Sequence, residues 1–583
     1  MEKTTKTSLK QRTIKRILPT LIVAFTIPFV VCLCIPFEFF ANNIDEFFFS
    51  FSAFFPIGTL FALLFTAVFF FGLVFLPEKA YRITCAVIIS LAFMFFLQGN
   101  YLNLGLNSLA GDNLGVASIT LGQKILNVFI WIVVIAGGIV LSILKDKNGI
   151  IALVGLLVSG IVMITHVMGP LSLIFTTEKV FADREERVQI SENAVIPQIL
   201  TNEGLTTISS SKNVFLFCVD RFDLEYAYLG FDECPEVYSM LEGFTLFEDH
   251  TTLYGHTFPG VANMLTGKPY DATKSREDFL NTVYLENDTL DVLDKKGYKV
   301  NLFTQPYYVY TDASYLPSYV QNKADATTYE VEHKGLLSLS LMQVSLYRCF
   351  PLFVKPYVGN INSGTCNSYV ESKGSDGYAQ FTCDMKDVWN VMESSTFTSI
   401  DDKLFTFLHI DGCHGVLYDE EWNDASLSET NDMTISLKHS FNIINKYIKA
   451  MKDAGVYDDA TIIITGDHGT PIDDREPLEK QTLTALFVKP AGSTHKEIKR
   501  SKAQVSHDDL WPTIFHSENI KVDSNKKSVF QIGEGEKRER KYFWHTYSVP
   551  TMQYVYSING DGTDFENSWK LIETKSYDKF IMD

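Results

Sequence analysis

No CxxC pair occurs among the nine cysteines of this chain, which argues against a thiolate zinc site. There is no internal repeat and no extended low-complexity tract. A cleaved leader is not expected either. The first apolar run, Ile17–Phe40, exceeds the usual signal-peptide core, has no small-residue cleavage site, and is followed at once by further apolar runs. Basic residues are also scarce: 50 Lys+Arg stand against 69 Asp+Glu, a net charge of −19. The deficit is concentrated in one part of the chain. Residues 1–180 carry 12 Lys+Arg and 8 Asp+Glu, whereas the remaining 403 carry 38 and 61. The larger part therefore lacks the basic footprint of a nucleic-acid partner. A phosphate substrate stays open to it, because a bound cation can dominate the local field.

Apolar residues are abundant, at 46%, and unevenly spread. Five long runs precede residue 176: Ile17–Phe40, Phe47–Leu76, Tyr81–Leu102, Leu121–Leu144 and Gly149–Phe175. Each supplies the roughly 20 residues that cross a hydrocarbon core. One such run is compatible with a buried soluble helix; five in succession predict a transmembrane domain over residues 1–175. Lys3, Lys6, Lys10, Arg12, Lys15 and Arg16 precede the first run, Lys79 and Arg82 mark the second loop, and Lys145 and Lys147 the fourth. The first loop has only Asp45 and Glu46, and the third little beyond Asp112 and Lys124. This positive-inside alternation predicts a multi-pass protein of the cell membrane, with everything after Phe175 extracytoplasmic. An exported location permits disulfides, and Cys366 with Cys383 is the expected loop pair.

Residues 176–211 are polar and read as a juxtamembrane helix and linker outside any core. From residue 212 the pattern becomes α/β. Val214–Val219, Tyr298–Phe303, Leu404–Ile410 and Ala460–Thr465 read as strands. Gly260–Leu265, Leu290–Lys296 and Ser436–Ala454 read as helices, the last two stopped by Gly297 and Gly455. Alternation of this kind predicts a mainly parallel sheet between helices. After about residue 520 a polar–aromatic alternation, as in Tyr554–Ile558, predicts a small antiparallel appendage.

Ligands of open α/β sheets bind outside the carboxyl ends of the strands, so residues at those ends carry the functional reading. In Thr461-Ile-Ile-Ile-Thr-Gly-Asp-His-Gly469 a β-branched strand ends in Asp467 and His468, an oxygen and an imidazole suited to Zn²⁺ or Mn²⁺. The competing reading is an Asx turn closing the strand. Asn213-Val-Phe-Leu-Phe-Cys-Val-Asp220 also ends in a carboxylate. Asp220 is a second ligand or a helix cap, and Asp223 can take the cap instead. In Gly255-His-Thr-Phe-Pro-Gly-Val-Ala-Asn-Met-Leu-Thr-Gly267 a loop enters a helix, with Pro259 in the first turn. Thr257 is then an N-cap or, at a helix terminus favouring an anion, a nucleophile whose hydroxyl a metal activates.

These pieces, in this order, resemble the alkaline phosphatase/sulfatase superfamily over about residues 212–583. Further matches are Leu293–Val300 and Val505-Ser-His-Asp-Asp-Leu-Trp-Pro-Thr513. Five spans feeding such a domain resemble lipoteichoic acid synthases, related phosphoglycerol transferases and lipid A phosphoethanolamine transferases. The resemblance implies a principal metal site of Asp220, Thr257, Asp467 and His468, with Thr257 as the nucleophile. It implies one divalent ion (Mn, Mg or Zn), with a second open to His409 and His414. The segment His409-Ile-Asp-Gly-Cys-His-Gly415 resembles a stretch of the phosphoethanolamine transferases. His409 and His414 are expected at substrate phosphate or that second metal, and His507 and His256 as further substrate contacts.

Two departures refine the expectation. Sulfatases need a Cys or Ser, oxidised to an aldehyde, where Thr257 stands, and Thr cannot form that group. They also tend to place two Asp residues after the first strand, whereas Arg221 follows Asp220 here; the membrane transferases usually carry Glu at the position of Asp220. The expected reaction moves a phosphoglycerol or phosphoethanolamine headgroup from a membrane phospholipid, through phospho-Thr257, to a cell-envelope glycan or glycolipid. The alternatives are a phosphodiesterase or sulfatase-type hydrolase, and a non-catalytic lipid-sensing protein on the same fold.

Overall fold

The computed structural model describes residues 9–44, 47–103, 120–144, 150–176, 180–181, 197–285, 287–306, 308–310, 312–331, 333–358, 363–367, 369–425, 432–469, 483–522, 525–546 and 550–577. Asp45, Glu46, Asp112, Lys145 and Lys147 of the expected loops, and residues 177–179 and 182–196 of the expected linker, lie outside them. The chain divides into two compact units, one of residues 1–195 with 327–372, the other of residues 196–326 with 373–583.

Among the described residues of the first unit, five helices are long and apolar enough to cross a membrane: Arg16–Asn42, Phe51–Val74, Glu78–Leu102, Leu121–Ile143 and Leu153–Phe175. Their outer faces expose large apolar side chains such as Leu64, Phe129 and Ile164, as lipid-facing helices do. Residues 327–372 fold with these helices, although they read in sequence as part of the α/β domain. Cys366 joins this unit and Cys383 the other, and both are free thiols, which corrects the expected disulfide.

The second unit is built on a seven-stranded mixed sheet. In order across it run Lys499–Ser501, Thr245–Phe247, Leu486–Lys489, Thr461–Thr465, Asn213–Val219, Lys403–Ile410 and Tyr298–Phe303. Four of the six pairings are parallel, and the two that Leu486–Lys489 makes are antiparallel. The interior strand Asn213–Val219 is apolar from Val214 onward because both its faces are covered. Val214, Leu216 and Cys218 enter one core, and Phe215, Phe217 and Val219 the other. Ile463 and Ile462 with Ile464 divide the same way. Each such side chain contributes about 1.5–3 kcal/mol when fully buried. The amphipathic helix Met433–Asp453 covers the second face with Leu437, Phe441, Ile444, Ile448 and Met451. Helices Thr257–Thr266, Leu290–Lys295 and Leu510–Ser517 cover the first. Glu539–His545, Thr551–Asn559 and Trp569–Tyr577 form the expected small antiparallel sheet.

The expected linker ends earlier than its polarity implied. Gln198–Leu200 pairs antiparallel with Lys323–Asp325, and Thr207–Ser209 pairs parallel with Thr398–Ile400. Leu200, Leu205 and Ile208 are buried. Short strands with two or three apolar anchors leave too little periodicity to stand out within a polar stretch.

Candidate metal centre and nucleophile

Parallel register brings the strand ends together. Ile410 lies beside Val219 and Thr465 beside Cys218, so Asp220, His409 and Asp467 meet at one edge of the sheet. Asp220 is free for this role because Asp223 caps the helix Leu224–Glu233, its side chain accepting from Tyr226 N–H. The turn after Val219 places Arg221 at φ 58°, and its backbone N–H donates to Asp467 Oδ1 at 3.0 Å. One carboxylate oxygen is thereby tied down while Asp467 Oδ2 remains for another partner.

Asp220, His409 and Asp467 each offer a ligand atom, and these atoms lie within 4.8 Å of one another. All three residues are buried. Asp220 Oδ1, His409 Nε2 and Asp467 Oδ2 are buried without a hydrogen-bond partner. Unpaired buried carboxylate and imidazole atoms converging on one point are costly unless a cation satisfies them. Two carboxylates and an imidazole fit a divalent ion of the Zn or Mn type. His468 belongs to the same group, with Nε2 3.6 Å from Asp220 Oδ1 and 3.7 Å from Asp467 Oδ2. Its Nδ1–H donates to the Gly469 carbonyl at 2.6 Å, which leaves the Nε2 lone pair facing the carboxylates.

Thr257 faces this group. Its Oγ1 is 3.5 Å from Asp220 Oδ2 and 3.4 Å from His468 Nε2. The hydroxyl does not cap the helix: His256 occupies the cap position, Phe258 and Pro259 are non-helical, and the regular helix begins at Gly260. Thr257 thus precedes that helix by a turn and is only partly buried, accessible to an incoming group.

Burial pushes the Asp220 carboxyl up, but the neighbouring imidazoles of His409, with Nε2 3.5 Å from Asp220 Oδ2, and of His468 outweigh it and hold the pKa below the usual range. The group stays ionised, as a ligand must. For His409 burial works in the opposite sense, and Cys383 with Asp220 overrides it, raising the pKa well above the usual value. His409 Nδ1 lies 3.3 Å from Thr304 Oγ1.

The four histidines expected at substrate separate into different roles. His409 falls among the ligand atoms, with Asp220 and Asp467. His414 is exposed, and its carbonyl accepts from Arg221 Nη1 at 3.3 Å. His507 is buried, with Nε2–H donating to the Gly466 carbonyl at 3.1 Å, and burial lowers its pKa to about 3. It is a neutral support for the turn that carries Asp467. His256 Nε2–H donates to the His545 carbonyl at 2.9 Å, and its pKa is lowered to about 3, by burial first and then by His468 and His545. Thr304 and Asp411 were not singled out from sequence, and Arg221 only as the residue that follows Asp220. Asp411 is pushed up to about 7 by burial and then by the Asp220 charge. Nothing local in the sequence marks Thr304 or Asp411 for the site; their proximity follows from strand order.

Gly466 is required by close approach: a Cβ there would meet Phe222 N at 2.8 Å and Phe222 O at 2.9 Å. Both are backbone atoms of the turn following Asp220. Gly466→Ala is therefore expected to cost about 1–3 kcal/mol of stability. Because the clash pushes the two ligand-bearing turns apart, divalent-metal affinity should fall by about 10–100-fold. Thermal unfolding and a metal titration on the same sample check both.

The sulfatase family model matches residues 212–517. No curated protein matches the chain. Among solved structures, one similar fold is a protein in the alkaline phosphatase superfamily from Vibrio parahaemolyticus. It is 14% identical, with 66% of this chain and 88% of that one covered and a TM-score of 0.34. The lipoteichoic acid synthase LtaP from Listeria monocytogenes is 11% identical, covering 66% and 91%, with a TM-score of 0.34. A phosphonate monoester hydrolase from Silicibacter pomeroyi is 14% identical, covering 63% and 89%, with a TM-score of 0.33. The family match spans more than half of the chain and contains Asp220, Thr257, His409, Asp467 and His468, and this chain belongs to the sulfatase family.

Proposed function

We propose that this protein moves a phospho-headgroup, phosphoglycerol or phosphoethanolamine, from a membrane phospholipid to a hydroxyl of a cell-envelope glycan or glycolipid. The observation that carries this reading is the Thr257 hydroxyl, 3.4–3.5 Å from two prospective metal ligands and partly open to solvent. Threonine cannot be oxidised to the aldehyde used in sulfate-ester hydrolysis, so a direct attack on phosphorus suits it better. The helices long enough to span a membrane favour a lipid donor, and the Lys and Arg alternation favours catalysis outside the cytoplasm.

In the first step Thr257 Oγ1 attacks the phosphorus of the lipid diester. The P–Oγ1 bond forms as the bond from phosphorus to the diacylglycerol oxygen breaks. The hydroxyl proton ends on the departing diacylglycerol, and a phosphodiester remains on Thr257. In the second step an acceptor hydroxyl attacks the same phosphorus, Oγ1 leaves and regains a proton, and the headgroup is transferred. Asp220, His409, Asp467 and His468 would hold a divalent cation, which when bound lowers the pKa of the Thr257 hydroxyl and neutralises phosphate charge. The Arg221 backbone N–H and the His507 imidazole fix the Asp467 turn, so positioning supplies much of the rate.

Full-length protein incubated in vesicles containing phosphatidylglycerol or phosphatidylethanolamine should gain one headgroup phosphate by intact mass, located on Thr257. Diacylglycerol should appear in equal amount. Label recovered on an acceptor identifies a transferase, and label recovered only as free headgroup phosphate identifies a hydrolase. Neither adduct nor diacylglycerol with either lipid would overturn the reading.

A further inference from the structure

The helix Lys334–Cys349 lies well downstream of the last span yet packs with the membrane helices as part of one unit. Leu337, Leu341 and Val344 are buried with Phe37 and Phe40 of the first span and Phe54 of the second. Arg348 Nη1 donates to Glu38 Oε2 at 2.7 Å, and Glu38 lies within the span Arg16–Asn42. Asn103 Nδ2 donates to the Arg348 carbonyl at 2.9 Å. The Leu352 N–H donates to Asn127 Oδ1 at 3.0 Å, while Asn127 Nδ2 and Trp131 Nε1 donate to Gln98 Oε1 at 2.7 and 3.0 Å. A non-helical N–H in hydrocarbon needs a protein partner, and Asn127 supplies one.

The depth of this contact can be read along the span. Asn127 lies about 9 Å along the helix Leu121–Ile143 from its first residue, at 1.5 Å per residue. Leu352 is therefore held well inside the end of a membrane span. Beyond it, Phe353 is 50% exposed and Tyr357 87% exposed. Pro351 and Phe353 line a cavity of about 410 Å³ with Trp131, Ile132, Ile135 and Ile139. Ile132 is itself 60% exposed, so this apolar surface continues the outer face of the span.

We propose that residues 351–357 form a re-entrant membrane element, with Phe353 among the acyl chains and the adjoining cavity holding a phospholipid acyl chain. The occupant follows from continuity with the lipid-facing side of Leu121–Ile143 and from a wall of apolar and aromatic side chains.

The test places a fluorophore at Phe353→Cys in the full chain; the nine native cysteines are all buried, so the new thiol labels preferentially. Phe129→Cys, in a span and 61% exposed, is the lipid reference, and Tyr378→Cys, 48% exposed in the other unit, is the aqueous reference. In phosphatidylcholine vesicles the label at 353 should lose fluorescence to doxyl lipid as the Phe129 label does, and be shielded from iodide. Quenching by iodide to the level of the Tyr378 label, with none by doxyl lipid, overturns the proposal. A Phe129 label that behaves the same way overturns the span assignment along with it.

Discussion

Thr257→Ala is expected to reduce headgroup release from phospholipid by at least about 10³-fold, with no covalent adduct, while the protein retains its divalent metal. The two outcomes separate because the ligand atoms of Asp220, His409, Asp467 and His468 do not depend on the Thr257 hydroxyl. Alanine removes the oxygen that would bond to phosphorus together with the γ-methyl group. The regular helix behind it begins at Gly260, and Thr257 makes no capping bond whose loss would unfold that segment. Thr257→Ser keeps the oxygen and loses one methyl, so it should form the adduct and retain turnover within about tenfold of wild type. The measurement is diacylglycerol release beside metal content on the same preparation. Undiminished release from the alanine variant would remove Thr257 as nucleophile. Loss of metal together with activity would show instead that its hydroxyl is needed as a ligand.

Much of this site was legible because the chemistry stands at the ends of recognisable strands. Asp220, Asp467 and His468 each follow an apolar β run, and Thr257 stands where a loop enters a helix; the structure places all four at one edge. His409 was found as a strand-end residue and read as a contact to substrate phosphate or to a second metal. Its place among the ligands depends on Lys403–Ile410 lying directly beside Asn213–Val219, and adjacency is not encoded in either strand alone. The two antiparallel pairings of Leu486–Lys489 were missed for the same reason. The five helices long and apolar enough to cross a membrane among the described residues were plain from length and hydropathy. The helix Lys334–Cys349 was not, because its partners in Phe37, Phe40 and Phe54 lie far upstream and a helix buried on most sides has no distinctive period. His507 and His256 show the converse limit. A histidine beside a motif reads as functional, whereas its hydrogen bonds to the Gly466 and His545 carbonyls are visible only in three dimensions.

Chelation of the metal is expected to lower the unfolding temperature of wild type by about 5 °C and to raise that of Asp467→Asn relative to wild type in the same buffer. At a hundredfold excess over Kd a bound ion stabilises the native state by about 2.7 kcal/mol, and a chelator withdraws that contribution. In metal-free protein, Asp220 and Asp467 present ligand oxygens within 4.8 Å of each other, each buried and unpaired. At an effective dielectric of about 20, two such charges repel by about 3 kcal/mol. A proton on His409 offsets part of this, since Cys383 and Asp220 overcome burial and raise its pKa. Metal uptake must displace that proton, so affinity should rise with pH through neutrality. The substituted amide would keep an oxygen to accept the Arg221 N–H, which Asp467 Oδ1 now accepts at 3.0 Å, while one of the two charges disappears. The variant should therefore be less stable than wild type with metal and more stable without it. This crossing separates a built cation site from a structural carboxylate pair. If the variant melts below wild type in both conditions, Asp467 serves the fold through its charge and the metal centre is lost as an explanation.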